Sequence, residues 1–141
     1  MANGNPELIN ALRVTAERLA EGARYEWGHM GRCNCGHLVQ TVTDLSDVEI
    51  ATSIDYELDE WTEHARDYCE GTGGKVDDFF EALREVGFAH EDVIHLENLS
   101  DRRVLDRLGK GTHLRRNHRP DVVLYLDSLA DLLEEAQTSV N

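Results

Sequence analysis

Four side chains able to hold a metal or attack a carbonyl fall within nine residues of one another: His29, Cys33, Cys35 and His37. Thiolates mixed with imidazole are the ligand set of a tetrahedral zinc centre, and soft sulfur selects zinc or another thiolate-binding transition metal over hard cations. Gly28, Gly31 and Gly36 lie among them and would let the chain wrap an ion. Cys69 is a fifth donor that could join from a distance. These residues define a candidate metal site on loop 29–37, with zinc the expected cofactor. One residue separates Cys33 from Cys35, where zinc knuckles usually have two to four. The same spacing strains a disulfide between them. Three cysteines without an export signal argue against a disulfide framework and for free, metal-bound or reactive thiols.

The same segment admits a different chemistry. A short helix is expected from His37 to Thr43, which puts Cys35 just ahead of it. Unpaired N–H groups and the helix dipole there lower a thiol pKa and prepare a nucleophile. The string Tyr25-x-Trp27-Gly28, followed by Cys35-x-x-Leu38-Val39-Gln40, resembles the nucleophile segment of NlpC-type papain-like cysteine peptidases. That segment reads Y-x-W-G-G and then D-C-S-G-L-V. The resemblance spans residues 25–40 and implies a thiol-dependent hydrolase with Cys35 as nucleophile, served by a histidine from a later β-strand. Asn34, Gly36 and His37 stand where the family has Asp, Ser and Gly. His90 and His95 follow, in a stretch that reads as helix and turn.

Other motifs have plainer readings. Gly71-Thr72-Gly73-Gly74-Lys75 has a shorter gap than a phosphate loop and reads as a turn between helices. Glu60 with His64 and Glu91 with His95 have the i,i+4 spacing of surface pairs. Arg115, Arg116 and Arg119, with His113 and His118, form a basic loop able to bind an anion or dock onto the acidic middle of the chain.

The elements that must position these groups read as helices. Asn5-Pro6 is a cap with proline at the first helical position, and Leu8, Leu12, Ala16 and Leu19 then share one face up to Gly22. Residues 25–36 form a Gly-rich loop. Ser46 and Glu49 have the spacing of a capping box for a helix over 48–54. Asp55 caps a further helix through Leu58, Trp61, Ala65 and Tyr68. Val76, Phe79, Phe80, Leu83 and Val86 make an amphipathic stripe closed by Gly87. Ser100-Asp101 opens a short helix that stops at Gly109. Pro120 begins the last, whose continuation through Leu126, Leu129 and Leu133 overrides the strand-like string 122–126. The expected architecture is all-α: residues 1–141 as a single domain, a bundle of about six or seven helices.

The chain holds 28 acidic and 14 basic side chains among 141 residues, a formal charge of −14. Residues 44–101 carry the excess, with 18 acids against three bases. A field of that sign repels phosphate backbones and excludes nonspecific nucleic-acid binding. It suits a dense carboxylate surface of the halophilic kind, or a cationic protein partner. Only Lys75 and Lys110 are lysines, which leans toward salt adaptation. Neither a run of about 20 apolar residues nor a leader-like apolar stretch is present, so a cytoplasmic protein without membrane association is expected. Three functions follow: a binding or accessory module with a metal at loop 29–37, a thiol enzyme built on Cys35, or a protein-interaction module acting through segment 44–101.

Overall fold

The computed structural model describes residues 5–26, 32–53, 75–109, 113–115 and 118–139. These hold seven helices and no β-strand: α1 (Pro6–Ala20), α2 (Asn34–Thr43), α3 (Asp47–Ser53), α4 (Lys75–Glu85), α5 (His90–Asn98), α6 (Arg102–Leu108) and α7 (Arg119–Ser139). The all-α reading holds. The helix expected after Asp55, residues 71–74 of the expected Gly-rich turn, Trp27, Trp61, His29, Cys69, Glu60, His64 and Arg116 lie outside the described residues, while Lys75 begins α4.

Local chemistry sets the helix ends. The Asn5 side chain accepts the Leu8 N–H at 2.9 Å to start α1, and its amide nitrogen donates to the Val86 carbonyl at 2.6 Å, which ties that start to the end of α4. Ser46 and Glu49 form the expected reciprocal box at the head of α3, each backbone N–H reaching the other's side chain at 3.1 Å. Asp101 caps α6 through the Arg103 N–H at 2.9 Å. Gly22 and Gly87 follow α1 and α4 with φ of +104° and +93°, a region open to glycine and costly for most other residues.

α1 and α7 form the longest pairing, and they run antiparallel. Arg13, midway along α1, meets Asp131 at 3.0 Å and Glu134 at 2.5 Å far along α7. Gly22, past the end of α1, faces Arg119 at the start of α7. Leu8, Leu12, Ala16 and Leu19 are buried against Val122, Leu126, Leu129 and Leu133. α2 is the hub, packing on α1, α3, α4 and α5. Phe79, Phe80 and Leu83 of the α4 stripe join the same core, so the described helices share one hydrophobic interior. None of them is long and apolar enough to cross a membrane.

Candidate functional site

The Gly-rich loop ends sooner than its composition suggests. α2 begins at Asn34, so Cys35, Gly36 and His37 belong to its first turn. Residues 34–39 are all buried, and the helix therefore enters the bundle surrounded by protein. A helix start placed there must find internal partners for its N–H groups.

It finds two. The Cys33 thiol, at the N-cap, accepts the Gly36 N–H at 3.3 Å, a sulfur standing where serine or aspartate usually does. Glu97, in the last turn of α5, accepts the Cys35 N–H on Oε1 at 2.7 Å. The exchange is mutual. Asn34 Nδ2 donates to the Leu96 and Glu97 carbonyls at 3.0 and 3.3 Å, covering backbone acceptors at the end of α5. Tyr25 Oη donates to Asn34 Oδ1 at 2.6 Å and fixes which way the amide faces. The positive end of α2 and the negative end of α5 thus cap one another through two side chains.

The thiols sit inside this junction. Cys35 is fully buried and its Sγ donates to the Val93 carbonyl at 3.4 Å; Cys33 is 3% exposed. Burial, with the Glu97 carboxylate as the next cause, pushes both thiols well above their ordinary pKa. The helix start that would have lowered the Cys35 pKa is already met by a carboxylate, so both effects favour the protonated thiol.

His37 lies two positions beyond Cys35, too close in sequence to share a helix face with it. Its Nε2 donates to the Arg24 carbonyl at 2.7 Å, and its ring stacks on Tyr25 with centroids 6.3 Å apart. Nδ1 is buried with no partner among the described residues. The imidazole is therefore the neutral Nε2–H tautomer, and burial lowers its pKa to about 4.

Of the residues singled out in the sequence, Cys33 and Cys35 come together against Glu97, while His37 turns toward Arg24 and Tyr25. His29 and Cys69 are outside the described residues. Among the described residues no three His, Cys, Asp or Glu side chains form a group that could hold a metal ion. His95, on α5, pairs through Nδ1 with Ser100 Oγ at 2.9 Å. Arg115 of the basic loop docks on the first turn of α7, its N–H 2.9 Å from Asp121 Oδ2. Comparison with protein-family models, curated proteins and solved structures finds no match for the chain.

Glu97 is the functional group that cysteine and histidine spacing does not reveal. One signal does point to it. Val93, Leu96 and Glu97 share the buried face of α5, so a carboxylate occupies a core-facing position at the helix end where its charge is least favoured.

Proposed function

We propose that the chain is a non-catalytic binding or accessory module in which the Cys33-Asn34-Cys35 corner is an internal fastening. The observation that supports this is the Glu97 carboxylate on the Cys35 N–H: the anion site a reactive thiolate would exploit is filled by the protein's own side chain. The fastening holds α2, and with it the segment around Arg24, Tyr25 and Arg32, in a fixed place on the bundle. The carboxylates of residues 44–101 offer a second face, suited to a cationic protein partner.

A second reading keeps the thiols for zinc. It is favoured by the common neighbour of the two sulfurs, the Glu97 carboxylate, and draws on His29 and Cys69 as further ligands.

One experiment separates these readings. Iodoacetamide labelling near neutral pH, followed by mass spectrometry, should leave Cys33 and Cys35 unmodified in folded protein and label both fully in urea. Rapid folded-state labelling of Cys35 alone would overturn the module reading in favour of a thiol enzyme. The zinc reading requires about one metal per chain in protein purified without a metal-affinity step, and protection of the thiols that a chelator removes. Protection unchanged by chelator, with metal content near zero, ends that reading.

A further inference from the structure

Three guanidinium-bearing residues line one concavity in a protein with twice as many acids as bases. Arg24 and Tyr25 lie on the chain leaving α1, Arg32 stands one residue before the Cys33 cap, and Arg119 opens α7. Together with Glu26 they bound a cavity of about 380 Å³. This is within the range of small-ligand pockets and too small for a folded partner's segment to fill deeply.

Charge pairing within the cavity is incomplete. Arg32 Nε donates to Asp47 Oδ2 at 2.5 Å, and its guanidinium lies 3.6 Å from Glu26. The Arg24 and Arg119 side chains have neither an ion pair nor a hydrogen bond among the described residues. In a chain with 28 carboxylates, two arginines beside a third thus have no counter-charge among the described residues. A concavity beside α2 and α3 is unlike this one. Its Arg18 is tied to Thr41 at 2.9 Å and Gln40 at 2.6 Å, and Asp44 and Glu49 share its wall.

The walls of the arginine cavity are also built. Tyr25 is held from behind by its hydrogen bond to Asn34 and its stacking on His37. The Arg24 carbonyl is held by His37 Nε2 at 2.7 Å. Arg32 is fixed by Asp47 and precedes the capped start of α2. Gly22 borders the edge, where its φ of +104° suits glycine and an added Cβ would lie in ordinary contact, 3.9 Å from the Arg119 guanidinium. A rigid wall presenting planar, always-charged donors is suited to tetrahedral oxyanions, which guanidinium groups grip through paired hydrogen bonds.

We propose that the Arg24–Arg32–Arg119 cavity is a binding site for a small molecule bearing a phosphate-like dianion. A single phosphoryl group meets the arginines inside the cavity. A polynucleotide backbone would also meet the repulsion of a chain with a net charge of −14. The proposal deepens the binding-module reading by naming a ligand class, and it does not depend on the chemistry of the thiols.

The test is titration of the full chain with inorganic phosphate and with glycerol phosphate at constant ionic strength. Amide NMR shifts and the thermal midpoint are followed, with chloride and succinate as competing arms. Saturable shifts centred on Tyr25, Arg32 and Arg119 are expected, larger for phosphate than for succinate and absent for chloride. Arg24→Gln and Arg119→Gln should each weaken binding about tenfold, since each removes one charge-assisted contact. Arg115→Gln, outside the cavity, should leave binding unchanged. Arg24→Lys and Arg119→Lys keep the charge and lose the paired geometry, so they guard against effects of charge alone and should bind more weakly than the parent. Shifts that do not saturate, or that persist in the Arg24→Gln/Arg119→Gln double variant, would overturn the site. The thiol-protection result would stand in either case.

Discussion

His37 carries a neutral imidazole into the interior, with one ring nitrogen satisfied by the Arg24 carbonyl and the other by nothing described. A proton added at Nδ1 would place a charge in a buried site with no acceptor among the described residues, and burial is the main cause of the pKa near 4. An unfolded histidine titrates near 6.5. Between those values the unfolded chain binds the extra proton and the folded chain does not, so stability rises with pH across that window. The contribution is fully present above pH 6.5 and is lost as pH falls toward 4, and the difference corresponds to about 3 kcal/mol. Urea unfolding at pH 7.5, 6, 5 and 4 should show this decline. His37→Gln, which retains a donor for the Arg24 carbonyl but cannot take the proton, should flatten the curve over the same window. An unchanged slope in that variant would assign the acid sensitivity to other groups.

The junction of α2 with α5 belongs to a pair of elements, and it can be dissected as a pair. Glu97→Ala removes the acceptor for the buried Cys35 N–H and should cost about 2–3 kcal/mol, whereas Glu97→Gln keeps an oxygen there and should cost under about 1. Asn34→Ala removes one hydrogen bond from the Tyr25 hydroxyl and one from each of two α5 carbonyls and should cost about 2 kcal/mol. Because the two side chains serve the same contact between helix ends, the double variant should lose less than the sum, by at least about 0.5 kcal/mol. Strict additivity would show that each acts alone. The ends of α1, α3 and α6 were legible in the sequence because their caps are local: Asn5, Ser46 with Glu49, and Asp101 each act within four residues. α2 starts three residues earlier than the sequence predicts because its local cap is a cysteine, an unusual capping residue, and its other cap is remote. Gly36 argued for a loop, and the groups that stabilise a helix there come from Cys33 sulfur and from Glu97, 62 positions away. The candidate chemistry followed the same rule. Cysteines and histidines announce themselves by type, but the carboxylate that meets the two thiols, and the convergence of Arg24, Arg32 and Arg119 from three parts of the chain, exist only once the bundle has formed.

At the scale of the whole molecule, the charge of −14 sets a condition no single contact can offset. One-to-one pairing of all 14 bases would still leave half of the 28 carboxylates without a cation. The pairs that do form, such as Arg13 with Asp131 and Glu134 or Arg107 with Glu135, lie at the surface, where each is worth at most about 1 kcal/mol. Salt acts on both sides of this balance. It weakens those pairs, and it screens the many carboxylate repulsions that compaction brings close. The Debye length falls from about 10 Å at 0.1 M to about 3 Å at 1 M, so repulsion between carboxylates several residues apart is largely removed over that range. Repulsive pairs outnumber attractive ones in this chain, so screening should win. We expect the thermal midpoint to rise between 0.05 and 1 M NaCl, and a gain of about 1 kcal/mol would appear as roughly 3–5 °C for a domain of this size. Glu17→Gln, Glu21→Gln and Asp106→Asn remove three exposed carboxylates that make no ion pair among the described residues, and the triple variant should start from a higher midpoint in low salt and gain less from NaCl. Sodium sulfate at matched ionic strength separates screening from solvent exclusion, since only the latter makes sulfate far more effective than chloride. A midpoint that stays level or falls in NaCl would mean that surface pairing outweighs repulsion, and the acidic surface would then call for a bound cationic partner rather than for salt.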